Sequence, residues 1–318
     1  MQNIYQELYR WYRVHGRHDL PWRNSDDPYH IYLSEVMLQQ TQVKTVLERY
    51  YFPFLKRFPT LEALAEAPLD EVLKRWEGLG YYTRAKNLHK AAQHTAPSLP
   101  SSYDALLALP GIGKNTAAAI CAFAFKQKRA VMEANVRRLL CRIYALDDPK
   151  EEVLIQKAHH LLDEDNPFDY NQAMMDMGSM VCTPRAPACD SCAFRTICKA
   201  YALGCYDFPV KRKRVVPTRR EIVVVSHAAG SVVLEQRAGR FLHGLWGFPA
   251  AETASGERLG EVRHQYTHFK LEVEVWHLES ESVGEGAFDR KAIDRLALST
   301  VDKKILKLLD RAGITIRR

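Results

Sequence analysis

The chain has 318 residues, 47% apolar and 26% charged, with 45 Lys and Arg against 38 Asp and Glu, a formal charge of +7 and a pI of about 9.0. This excludes a disordered or collagen-like chain, predicts two domains of roughly 150 residues each, and allows a polyanionic partner. No apolar run reaches the ~18 residues of a membrane span, and residues 1–10 lack the apolar core of an export signal, so a cytoplasmic chain is expected.

Residues 1–205 read as almost entirely helical. Asp27 before Pro28 is an N-cap followed by proline at the first helical position. The helix that follows carries Ile31, Glu35 and Leu38 on one face. A carboxyl on an apolar face is costly to ionise, which predicts a raised pKa for Glu35 and suits it to donate a proton near neutral pH. Further helices are expected over 61–76, 82–94, 103–109, 116–125, 136–144 and 153–162, punctuated by Gly and Pro. Leu109-Pro-Gly-Ile-Gly113 lies between two of them. Two glycines two apart permit a tight turn and a close backbone approach. Its amides, with the free N–H groups of the next helix, can hold a phosphate oxygen without reading a base. Gly111, Gly113 and Lys114 are the candidates, a glycine-rich connector being the alternative.

Seven cysteines, an odd number without an export signal, do not read as a disulfide framework. Cys121 and Cys141 sit among apolar residues as small core side chains, and Cys205 stands alone. Cys182, Cys189, Cys192 and Cys198 form a C-x6-C-x2-C-x5-C array in a stretch broken by Pro184, Pro187 and Asp190. Four thiolates converging from loops suit Zn²⁺ or a [4Fe–4S] cluster, and a single short pair mildly favours iron–sulfur. Closing a long helical region, the array reads as structural. Near residue 206 the composition shifts: Lys211-Arg-Lys-Arg214, Pro217 and Arg219-Arg220 read as a basic linker over 206–220, with a nuclear-localisation patch as the alternative. Strands follow over 221–226, 231–234 and 271–276. A last helix over 299–312 buries Val301, Ile305 and Leu308 or Leu309, which gives an α+β domain of roughly 100 residues.

In chain order, Leu20-Pro-Trp-Arg23, Ser34-Glu-Val-Met-Leu-Gln-Gln-Thr-Gln-Val43, Gly78-Leu-Gly-Tyr-Tyr82, the hairpin, Asn171-Gln-Ala-Met-Met-Asp176 and the cysteine array resemble the helix–hairpin–helix DNA glycosylase superfamily. Specifically, they resemble its MutY-type adenine DNA glycosylases. The resemblance spans nearly the whole chain. It implies a mainly α fold with a glycosylase domain over 1–205, an iron–sulfur loop at 182–198 holding one [4Fe–4S] cluster on the four cysteines, the basic linker, and a smaller α+β Nudix-like domain over 221–318 that recognises 8-oxoguanine. No box of clustered glutamates is present, so pyrophosphate hydrolysis is not expected. The implied activity is monofunctional hydrolysis of the N-glycosidic bond of adenine opposite 8-oxoguanine, and less well opposite G, in double-stranded DNA during base excision repair. A monomer is expected, nucleoid-associated if bacterial.

The resemblance assigns Glu35 to protonate adenine and then help water attack. The family's second carboxyl is an Asp in a D-G-N-V-type motif. Here the segment reads Glu133-Ala-Asn-Val136, with an arm longer by on the order of 1.5 Å. Glu133 is expected to stabilise the sugar cation, and Asn135 to orient the nucleophile or the sugar. Bifunctional relatives carry a Schiff-base Lys two residues past the second hairpin glycine, where this chain has Asn115, so little lyase activity is expected. Asn115 also departs from the family's usual Ser or Tyr. The adenine must leave the stack. Trp22, Arg23 and Gln172 match its pocket, Gln40 and Thr41 the opposite-base contact, and Tyr81 the intercalating wedge. His264-Gln-Tyr-Thr-His-Phe269 resembles the lesion-reading loop, usually Phe-Ser-His. Tyr266, Thr267 and His268 keep an aromatic ring, a hydroxyl and an imidazole that can separate 8-oxoguanine, with a donor at N7, from guanine. Trp246 in Gly244-Leu-Trp-Gly-Phe-Pro249 reads as core. The rival readings are a pyrimidine mismatch glycosylase of the same superfamily and a catalytically silent iron–sulfur DNA-binding protein.

Overall fold

In the computed structural model, described over residues 2–210, 215–239, 241–282 and 286–317, the chain divides into two units. One is Met1–Ala65 with Lys90–Arg212, the other Glu66–His89 with Lys213–Arg318. The helices are α1 (Gln2–His15), α2 (Pro28–Leu38), α3 (Val43–Arg49), α4 (Tyr51–Arg57), α5 (Leu61–Glu66), α6 (Leu69–Arg75), α7 (Thr83–Thr95), α8 (Tyr103–Leu107), α9 (Lys114–Phe123), α10 (Ala134–Tyr144), α11 (Glu151–Leu161), α12 (Pro167–Asp176), α13 (Lys199–Ala202), α14 (Arg290–Ile293) and α15 (Thr300–Arg311). Among the described residues no helix is long and apolar enough to cross a membrane.

In the first unit, α2 begins as its sequence predicts: the Asp27 carboxylate accepts from the Tyr29 amide at 2.8 Å, with Pro28 next. It is buried on most sides, not on one face, because Tyr32, Leu33, Ser34, Val36 and Met37 join Ile31 in the interior. A core of Leu8, Leu139, Leu140, Tyr170 and Met177 packs α1, α10 and the end of α12 together, and Phe194 ties the cysteine stretch to it. The single helix expected over 61–76 is two, α5 and α6. Pro68 separates them, since its ring and missing N–H cannot continue a helix.

The second unit is built on strands β1 (Thr218–Ala228), β2 (Ser231–Val233), β3 (Glu235–Gln236), β4 (Trp246–Gly247), β5 (Ala250–Ala251), β6 (Glu257–Gln265), β7 (Lys270–Glu279) and β8 (Ala287–Phe288). The main sheet runs β6-β7-β1-β2-β8, with β5 on β1 and a separate β3-β4 pair. Parallel β1 and β7 align Val223 with Val275. Period two places Leu271, Val273 and Val275 on the face where Val301, Ile305 and Leu309 of α15 pack. Strand β6 has no sequence forecast: its register slips between Arg258 and Gly260, and Val262 is its one fully buried residue. Residues 218–220, read as linker, are already strand, while Lys211–Arg214 of that linker lie outside the described residues. Segment 66–89 groups with these strands in the second unit. Lys74 Nζ donates to the Leu296 carbonyl at 2.9 Å, and the Tyr82 hydroxyl donates to the Leu298 carbonyl at 3.3 Å.

Candidate functional site

Trp22, Arg23, Glu35 and Gln172 line one narrow cavity of about 40 Å³ in the first unit, room for a few water molecules. The turn before α2 supplies the first two, α2 the carboxyl and α12 the amide. Trp22 is buried edge-on against Tyr51, ring centroids 5.0 Å apart. The Glu35 carboxyl is pushed up to about 7, first by burial, then by the negative charge of Glu133, with the Arg23 guanidinium pulling it back. The two carboxyls named from sequence are therefore within electrostatic reach of each other.

Glu133 caps α10. One carboxylate oxygen accepts from the Val136 amide at 3.0 Å and the other from Asn135 Nδ2 at 3.1 Å. The Asn135 side-chain oxygen accepts from Arg138, which also donates to the Gly178 and Cys182 carbonyls at 2.5 and 2.8 Å. Gly178 is obligatory there: a Cβ would lie 2.8 Å from the Asn135 carbonyl oxygen. Glu133 and Asn135 are thus held by one network that leads to the cysteine stretch.

A second buried charge cluster went unassigned in the sequence. Asp176, fully buried, accepts from Arg23 at 2.7 and 2.8 Å and from the Arg17 amide and side chain at 2.9 and 2.7 Å. Two guanidiniums hold its carboxyl below the usual carboxylate range despite burial. Arg23 lines the cavity that holds Glu35 while engaged by Asp176. The signal in sequence was an Asp after an apolar helix, which alone does not name its partners.

The hairpin occurs as expected, with one difference. Helix α9 starts at Lys114 with Gly113 as its N-cap, two residues earlier than forecast. Gly111 takes a φ of 75°, whereas Gly113 at −88° needs no glycine for its backbone. A Cβ on Gly113 would meet nothing within 4 Å, so its bareness leaves the amide open to approach. Gly111, Gly113 and Lys114 are all exposed. Gln40 follows α2 in the left-handed region at a φ of 57°, exposed, with Thr41 half-buried beside it.

Cys182, Cys189, Cys192 and Cys198 line one cavity with Arg142. Arg142 is buried and donates to the carbonyls of Thr183, Pro184 and Tyr206 at 2.7, 3.0 and 2.9 Å, and to Cys182 Sγ at 3.4 Å. Burial pushes the Cys192 thiol up to about 12, and the other three cysteines add to the rise. Among the described residues no three His, Cys, Asp or Glu side chains are grouped as a metal-ion site.

The remaining candidates fall in the second unit. Tyr81, with a φ of 49° and 43% exposed, shares a hydrogen bond with the Thr267 hydroxyl. Tyr81, Thr267, His268, His264, Phe241 and Lys86 line a cavity of about 790 Å³. Thr267 and His268 are exposed, but Tyr266 packs inward at 5.0 Å from both Phe241 and Phe269. Its hydroxyl is buried without a hydrogen-bond partner, and burial raises its pKa. Tyr266 therefore supports the loop from below, and the exposed hydroxyl and imidazole are its neighbours'. Trp246 packs against the core beside Phe288, centroids 5.1 Å apart.

Residues 33–164 match the model of the HhH-GPD superfamily base excision DNA repair protein, and residues 221–308 that of the NUDIX domain. An adenine DNA glycosylase of Buchnera aphidicola subsp. Baizongia pistaciae is 36% identical, over 76% of this chain and 71% of that protein. The Homo sapiens adenine DNA glycosylase is 31% identical, over 95% of this chain and 73% of that one. Among solved structures, a thermostable thymine-DNA glycosylase superposes with a TM-score of 0.57 at 29% identity, covering 63% of this chain and 95% of that chain. An endonuclease III bound non-covalently to DNA shares the fold, with a TM-score of 0.54 at 18% identity over 64% of this chain and 97% of that one.

Proposed function

Because the chain belongs to the adenine DNA glycosylase family, and is therefore an enzyme that releases adenine from DNA, we propose that it acts as a monomer on duplex adenine paired with 8-oxoguanine, and more slowly on adenine paired with G. The observation that carries the mechanism is the division of labour between two neighbouring carboxyls: Glu35 raised to about 7 and Glu133 held by two N–H donors. Protonated Glu35 gives its proton to a ring nitrogen of adenine as the C1′–N bond breaks and the bonding pair leaves with the base. Glu133 offers negative charge to the cationic sugar. The Glu35 carboxylate then takes a proton from the water that attacks C1′, restoring the acid. Asn115, where relatives with lyase activity place an amine, cannot form a Schiff base, so strands stay intact until alkali is added.

Cys182, Cys189, Cys192 and Cys198 line one cavity with the buried Arg142 guanidinium beside it, and these four thiolates would hold the [4Fe–4S] cluster that would cross-link the loop. Cys192→Ser protein is expected to carry much less iron per chain and to melt at a lower temperature than the parent. Equal iron content and melting would remove the assignment.

The exposed Thr267 hydroxyl and His268 imidazole, with Tyr81 beside them, support the reading of the opposite base. The test is single-turnover base release from A·8-oxoguanine, A·G and G·T duplexes, each with and without alkali. Adenine release fastest from A·8-oxoguanine, with breaks only after alkali, is expected. Thymine release from G·T would instead support the pyrimidine enzyme, the reading that the likeness to a solved thymine-DNA glycosylase favours. Tight binding without release would leave a silent DNA-binding protein.

A further inference from the structure

Glu77 stands outside the adenine cavity, at the end of α6 next to the Gly78–Tyr82 block, and its side chain is 10% exposed. Its carboxylate accepts from Lys74 Nζ at 3.1 Å, from Lys303 Nζ at 2.8 Å and from the Leu298 amide at 2.9 Å. With the Lys74–Leu296 and Tyr82–Leu298 bonds, it forms a latch between segment 66–89 and the stretch leading into α15. On one side of the latch the chain passes through Gly78 and Gly80, at φ values of 92° and 80°, to Tyr81. A non-glycine residue keeps such a backbone only where its surroundings enforce it. The Trp76 indole and Arg84 both donate to the Gly80 carbonyl at 3.1 Å and fix the turn from within. On the other side the chain passes from Leu298 to Ser299, which caps α15, and Thr300, and both line the cavity that holds Tyr81 and Thr267.

We propose that Glu77 is a positioning residue for opposite-base discrimination: through Leu298 and Lys303 it holds the Tyr81 turn in register with the Thr267 loop. This rests on the preference for 8-oxoguanine proposed above. A hydroxyl-to-hydroxyl contact between two loops tolerates shifts of only a few tenths of an ångström. A carboxylate bridging an ammonium and a backbone amide ties the Tyr81 turn to the 298–303 stretch, whose Ser299 and Thr300 line the same cavity as Thr267.

The experiment is single-turnover adenine release from A·8-oxoguanine and A·G duplexes by the full chain and by Glu77→Gln, Lys303→Met, Tyr81→Ala and Glu77→Gln/Tyr81→Ala. Glu77→Gln should lower the preference for 8-oxoguanine about tenfold while leaving the A·G rate within about twofold. Lys303→Met, at a half-exposed site that tolerates the change, should lower it less. Adding Glu77→Gln to Tyr81→Ala should cost nothing further, because the glutamate acts through the tyrosine. Equal loss on both duplexes, or additive losses in the double variant, would overturn the proposal. If the parent shows no preference, the reading of the opposite base fails and this fails with it. If Tyr81→Ala abolishes the preference and Glu77→Gln leaves it intact, only the role of Glu77 falls.

Discussion

Glu35→Gln is expected to release adenine at least about a thousandfold more slowly than the parent and to be the more stable protein at pH 8. The first effect is the loss of a positioned proton donor that also serves as base, with general acid–base contributions running to ~10⁴-fold. The second follows from the same cause. A carboxyl that ordinarily titrates at 4.5 titrates here at about 7, so ionising it costs the fold. The contribution is fully present below the unfolded value, shrinks as pH rises from about 4.5, and is lost above about 7. Removing the ionisable group therefore stabilises the fold by up to about 3 kcal/mol at pH 8 and by nothing below pH 4. Thermal melts at the two pH values with single-turnover release decide it. A variant that melts identically to the parent at pH 8 would show that the Glu35 carboxyl is not held neutral. In the parent, release should fall about tenfold per pH unit above about 7, as the acid form disappears.

Glu133→Gln should cost about 10²- to 10³-fold in release, with little loss of stability. The amide keeps the cap, since it can still accept from the Val136 amide, and weakening an N-cap costs about 1 kcal/mol. What it loses is the charge that meets the sugar cation, and one such group is worth that factor in a dry site. It also removes the charge that helps to raise Glu35, so the residual activity should fall off with pH from a lower midpoint than in the parent. A pH profile of Glu133→Gln with an unshifted midpoint would show that the two carboxyls act independently. Glu133→Asp should retain more activity than Glu133→Gln if charge, not arm length, is what the position requires.

The sequence made Glu35 legible because its determinants are local: a cap, a proline at the first position and apolar neighbours at helical spacing. The cysteine array was legible for the same reason, four donors within seventeen residues. Its choice between zinc and a cluster rested on the resemblance. What stayed hidden depends on partners far apart in the chain. Asp176 gathers Arg17 and Arg23 across more than 150 residues. Gly178 is required by the Asn135 backbone, which no pattern around Gly178 announces. Tyr266 satisfied the family's aromatic position, but its inward packing depends on Phe241 from another loop. Strand β6 was missed because a register slip breaks the alternation that would have marked it.

The second unit is discontinuous in the chain, and this sets an order on its synthesis. Residues 66–89 leave the ribosome roughly 120 residues before the strands they join, a wait on the order of 6–25 s at usual elongation rates. Lys74 and Glu77 wait longer, roughly 220 residues, for Leu296, Leu298 and Lys303. The strands and the final helix that residues 66–89 join are thus the last parts of this unit to be made, and removing residues 213–318 would take Leu296, Leu298 and Lys303 away from Lys74 and Glu77.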